Sequence, residues 1–149
     1  MLPVLAALAL AAAPSARASL RPPERTLLAA VNDLRAARGL GALRADRALT
    51  RAAESHSRRL LARDVLSHGA FASRLAGFGA RGPAFGENLA WAVGPSLTSW
   101  TIVNAWLASP GHRANLLRPG WRRLGIGVAV GTFAGYRGAT VFTADFAGS

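Results

Sequence analysis

The sequence predicts an α+β domain in which helices pack on a small sheet. Three observations carry that prediction. Apolar residues recur at helical spacing in the first half and again near Trp100, a strand-like run spans Phe85 to Val93, and two apolar runs near the C-terminus read as a hairpin. The 149 residues, 51% of them hydrophobic, suit one domain with a packed core, and no internal repeat or heptad is present.

The elements follow in chain order. Met1 to Ala13 is almost purely Leu, Ala and Val, and Ala16-Arg17-Ala18 offers a small-x-small cleavage pattern, so residues 1–18 read as a secretory signal and 19–149 as the exported domain. The apolar stretch is about a dozen residues, short of the roughly 20 that cross a bilayer, and no later window approaches that length. No transmembrane segment is therefore expected. Leu27, Leu28, Val31 and Leu34 form a helical stripe that Gly39 and Gly41 end. Asp46 is a candidate N-cap for a second helix with Leu49, Ala53, His56 and Leu60 on one face. Phe71 to Leu75 suits two helical turns, and Gly77, Gly79, Gly82 and Pro83 make a loop. A further helix is expected from a Ser96 cap to Ala108, ended by Ser109-Pro110-Gly111. Strands over Gly125–Val130 and Ala139–Phe146 close the chain, joined by a glycine-rich connection.

All 18 basic residues are arginines, and against 7 acids they give a net charge of +11. That balance favours polyanions such as anionic envelope polymers. The absence of cysteine excludes disulfides, thiolate metal sites and a cysteine nucleophile. No Gly-x-Ser-x-Gly elbow accompanies Ser67, Ser109 or Thr98, which argues against a serine hydrolase. Trp91, Trp100, Trp106 and Trp121 are not interleaved with arginine in a nucleic-acid motif; they read as core or cleft wall, with Arg122-Arg123 as a solvated corner and no specific nucleic acid expected.

The chain has three histidines. His56 lies on an apolar stripe and reads as a satisfied, semi-buried side chain. His68, in Ser67-His68-Gly69, and His112, in Ser109-Pro110-Gly111-His112-Arg113-Ala114-Asn115, fall in expected loops, where binding groups concentrate. Between them Glu87, in Gly86-Glu87-Asn88, is the only acid in positions 65–144. Two neutral imidazoles can share a divalent cation, typically zinc, with Glu87 as a further ligand or as a base holding water. Equally, the histidines can hydrogen-bond backbone or Glu87 and hold loops in register.

Taken together, Val31-Asn32-Asp33-Leu34-Arg35, Ser67-His68, Gly86-Glu87-Asn88-Leu89-Ala90, the Trp106 to Leu117 run and Gly125-Ile126-Gly127-Val128-Ala129 resemble, in order and spacing, the CAP superfamily of cysteine-rich secretory, antigen 5 and pathogenesis-related proteins, in its bacterial SCP-like branch. The resemblance spans roughly residues 24–146. It implies a three-layer α-β-α sandwich with a small, mostly antiparallel sheet and an open cleft where His68, Glu87 and His112 converge. The family's fuller form has a second acid ahead of Glu87, whereas no Asp or Glu occupies positions 69–86 here. The resemblance implies a secreted or envelope-associated protein whose cleft binds a lipid, a peptide or an envelope component, with a divalent cation at His68 and His112 as an option. Two alternatives stand beside it: a secreted metal-assisted hydrolase using the same residues, and a cationic module that associates with the cell surface through its arginines.

Overall fold

Prolines at the first two helical positions and Glu24 in the first turn start α1 (Pro22–Ala37) in the computed structural model, which describes residues 19–148. The secretory segment expected over 1–18 lies outside the described residues. After a two-residue strand β1 (Arg44–Ala45), the Asp46 carboxylate accepts from Leu49 N at 3.0 Å and opens α2 (Arg47–Arg63). The predicted stripe of Leu49, Ala53, His56 and Leu60 is buried. Next come α3 (Phe71–Gly77), β2 (Phe85–Ala92), α4 (Ser99–Ala108), α5 (Pro110–Leu116), β3 (Trp121–Phe133) and β4 (Tyr136–Gly148).

Four local expectations need correction. Thr98, not Ser96, caps α4, because Thr98 and Thr101 exchange side-chain-to-backbone bonds at 3.2 and 3.1 Å. Pro110 ends α4 but also begins α5, its missing N–H being harmless at a first helical position, so His112 lies on a short helix rather than in a loop. The hairpin strands extend much further than expected. Only Ala134 and Gly135 make the turn, with φ of 50° and 82°, the left-handed pair that matches strand twist. Finally, Arg123 is not a solvated corner: its guanidinium reaches Asp46 at 2.8 Å and ties β3 to the start of α2.

The sheet order is β1-β3-β4-β2, antiparallel except for the short β1–β3 pair. Alternation along the strands sends Leu124, Ile126, Val128, Phe142, Ala144 and Phe146 into one core shared with α1, α4 and α5. The opposite face packs on α2 and α3 through Leu89, Val141 and Ala147, giving the three layers expected. Arg35, fully buried, fastens the first of these layers: Nε donates to Gly41 O at 2.9 Å and Nη1 to Leu116 O at 2.8 Å, joining the end of α1 to the end of α5. Among the described residues no helix is long and apolar enough to cross a membrane.

Candidate functional site

Strand alternation makes adjacent residues of β2 serve opposite layers. Glu87 turns toward α2 and α3, and Asn88 toward α5. Asn88 Nδ2 donates to His112 O at 3.0 Å, and Asn115 Nδ2 donates to Asn88 Oδ1 at 2.9 Å and to Glu87 O at 3.1 Å. Trp121 Nε1 in turn donates to Asn115 O at 2.8 Å. The Gly-Glu-Asn string and the His-Arg-Ala-Asn string are thus two halves of one buried amide network. Gly86 belongs to it by its lack of a side chain, since a Cβ there would lie 2.9 Å from Asn115 Oδ1 and from Trp121 Cζ2. Asn88→Ala leaves His112 O without its side-chain donor and Asn115 Nδ2 with Glu87 O alone, a loss of about 1–3 kcal/mol. A lower urea midpoint is therefore expected, together with loss of order in α5, read by hydrogen exchange at its amides; an unchanged midpoint would show that the network is not what seats His112.

On the other face, His68 donates from Nδ1 to Glu87 Oε1 at 2.6 Å. The Glu87 side chain is 2% exposed and that of His68 58%, so a buried carboxylate orients an exposed imidazole through Nδ1, and Nε2 makes no hydrogen bond among the described residues. The second oxygen of Glu87 is taken by the Arg74 guanidinium from α3. Arg74 also donates from Nη1 to His68 O at 3.0 Å and to His56 Nδ1 at 3.0 Å. His56 completes the arrangement by donating from Nε2 to Ser67 O at 2.9 Å, which fixes its neutral tautomer. Burial, and then the Arg74 charge, lower its pKa to about 4. His56 is satisfied, as its apolar stripe suggests, and it also fastens the loop that carries His68.

Sequence reasoning missed two members, Arg74 and Asp145. Asp145 of β4 stands directly opposite Glu87 in the β2–β4 register and is completely buried. Neither of its oxygens has a hydrogen-bond partner among the described residues, and Arg74 Nη2 lies 3.7 Å from Oδ1. Burial raises Glu87 to about 7 against the lowering effects of Asp145 and Arg74, and burial followed by the Glu87 charge raises Asp145 well above its usual range. Burial and like charge thus make both acids hold a proton more tightly than free carboxyls do, with one guanidinium between them. A second acid thus stands beside Glu87 although none lies in positions 69–86. Its only sequence signal is a lone aspartate at an inward position of the last strand.

His112 comes to the β2 edge from the other layer. It makes no side-chain hydrogen bond to His68 or Glu87 among the described residues, while burial and then the charge of His68 lower its pKa. The structure thus joins His68 to Glu87 directly and holds His112 by its backbone. Among the described residues, no group of three or more His, Asp or Glu side chains is arranged to hold a metal ion. Both oxygens of Glu87 are already engaged, so it does not fit as a ligand. The open Nε2 of His68 does, because a carboxylate on the opposite ring nitrogen is the usual support of a metal-binding imidazole.

Residues 28–146 match the model of the cysteine-rich secretory protein family, CAP. The uncharacterized protein YkwD of Bacillus subtilis is 29% identical over 118 residues, 76% of this chain but 45% of the relative, so the chain spans under half of that protein. An extracellular SCP-domain protein of Bacillus anthracis superposes with a TM-score of 0.72 at 23% identity, covering 85% of this chain and 40% of that one. An outer surface protein of Borrelia burgdorferi gives 0.71 at 21% identity, with 84% and 92% covered.

Proposed function

The chain belongs to the cysteine-rich secretory protein (CAP) family, and from that premise we propose that it is an exported CAP domain whose cleft, built on His68, Glu87 and His112, binds a ligand. The observation that carries this reading is the His68–Glu87 bond of 2.6 Å, which aims an exposed imidazole at solvent from a buried, charge-balanced floor. Export is supported by the signal-like residues 1–18 and by the extracellular and outer-surface descriptions of its structural relatives. The ligand class this chemistry admits is a lipid, peptide or envelope component with an acceptor or acid for the imidazole. With a net charge of +11, the arginine-rich surface favours retention near anionic envelope polymers, a contact that salt should weaken steeply.

A divalent cation such as zinc would be held by the open Nε2 of His68 and by His112, with Glu87 acting from behind through His68. Bound there it would supply Lewis acidity. Protons compete for the same nitrogens, so zinc affinity should fall on acidification. In titration calorimetry, His68→Ala and His112→Ala should each abolish most binding, and Glu87→Gln should weaken it about 10–100-fold. Affinity that survives the double alanine variant would remove the cation from this reading.

The second reading, a metal-assisted hydrolase, is favoured by the same dyad, since a carboxylate-oriented imidazole is also the arrangement of a general base. Turnover of ester and peptide substrates with and without zinc separates the two. Rate loss in His68→Ala and His112→Ala supports the hydrolase, and a rate unchanged from background ends it while leaving the binding cleft intact.

A further inference from the structure

The opposite edge of the sheet carries a slot unrelated to the histidines. Among the described residues β1 pairs only with Arg123 and Leu124, so the rest of β3 has no strand on its outer side. Asp46 N donates to Leu124 O at 3.1 Å and Arg21 Nη2 to Val128 O at 2.9 Å, both from outside the sheet. The even-numbered residues therefore turn their peptide groups outward, and Val130 is the next in that series. Its side chain is among the few large apolar ones in the open, at 65% exposure. A pocket of about 520 Å³ runs along this edge. Val128, Ala129 and Val130 form its floor, Arg21, Pro22 and Pro23 one bank, and Arg58 and Leu61 the other.

We propose that this edge of β3 is a docking slot for a short, extended, acidic peptide segment of a partner protein, which adds to the sheet beside Val130. Three consecutive strand residues along the floor suit a chain running parallel to the strand rather than a compact ligand. Outward peptide groups favour a peptide over an acyl chain, because an acyl chain would leave them without partners. The Pro22, Pro23 and Leu61 banks accept β-branched side chains. The acidic preference comes from Arg58, which is exposed and pairs with no carboxylate among the described residues, whereas Arg21 is already committed to Glu24. Edge strands are ordinarily guarded against such additions. Here the guards are Arg21 over Val128 and the irregularity between Gly131 and Phe133, and they leave one register open between them.

The test is selection of phage-displayed random heptapeptides on the folded domain, followed by fluorescence anisotropy of the enriched peptides. Expected are peptides carrying Asp or Glu beside Val, Ile or Thr, with affinity lowered at least about tenfold by Arg58→Glu and lost on N-methylation of the peptide amides. Val130→Pro, tolerable on an edge, should also remove binding, and an unchanged melting temperature checks that the domain remains folded. The proposal is overturned if no peptide binds below millimolar concentration, or if binding ignores both substitutions. It also falls if sodium dodecanoate alone occupies the slot, or if sedimentation shows a dimer that Val130→Pro dissolves, since the occupant would then be an amphiphile or a second copy.

Discussion

Gly127→Ala should destabilise the domain by at least about 3 kcal/mol, at the upper end of what overpacking costs, and lower its melting temperature by roughly 10–15 °C. A Cβ at Gly127 would lie 2.2 Å from the Ala53 carbonyl carbon and from Glu54 N, and one at Gly125 would lie 2.1 Å from the Leu49 carbonyl carbon. These are backbone atoms of α2, which rides directly on β3 and cannot yield as a flexible side chain would. The same approach lets Ser57 Oγ donate to Gly127 O at 2.9 Å, a bond that any outward shift of α2 would break. Gly77→Ala is the control, because nothing lies within 4 Å of its added Cβ and the position is helical; it should be neutral or slightly stabilising. Calorimetric scans of both variants decide the matter, and equal melting temperatures would mean that the α2–β3 contact is looser than it stands here.

The second large effect is expected at Arg74. Arg74→Met leaves Glu87 and Asp145 buried without a cation, and removing one partner of a buried charge group costs about 3–5 kcal/mol. The loss should be largest near pH 8 and shrink toward pH 5, where the two acids can take protons instead. In the parent protein the pH slopes of the site oppose each other. Glu87 is raised from 4.5 to about 7, so the folded state holds its proton more tightly than the unfolded chain; this stabilisation is complete below about 4.5 and disappears as pH rises to about 7. Asp145 acts in the same direction. His56 is lowered from 6.5 to about 4, so its contribution is complete above about 6.5 and is lost as pH falls toward 4. With two raised acids against one lowered histidine, the urea midpoint of the parent should fall as pH rises from 4 to 8. Glu87→Gln should weaken that fall, and His56→Gln should steepen it. A loss in Arg74→Met that is the same at pH 5 and pH 8 would show that the guanidinium does not hold the two carboxyls.

What is legible in the sequence is local. Periodicity, caps and glycine placement give α1, α2 and the strand character of β2, β3 and β4, because each is set by residues within a few positions of one another. The pairing of His68 with Glu87 is reachable only through the family resemblance, since nothing local relates a loop after α2 to the start of a strand. Other features escape a local reading for the same reason. Pro110 reads as a stop because a proline carries both meanings, and only the packing of Leu116 into the core under Arg35 makes a new helix follow it.

An α+β domain rich in arginine, without cysteine chemistry, and with three histidines and one mid-chain acid can be read from the residues alone. Tertiary structure alone decided the charge balance of the site. Asp145 reaches Glu87 through a strand register, and Arg74 reaches both through the seating of α3. The physical reason is that burial sets what a carboxyl or imidazole does. An exposed aspartate, a salt-bridged one and a proton-holding one are the same letter in the chain, and they separate only when the fold removes water and chooses their neighbours.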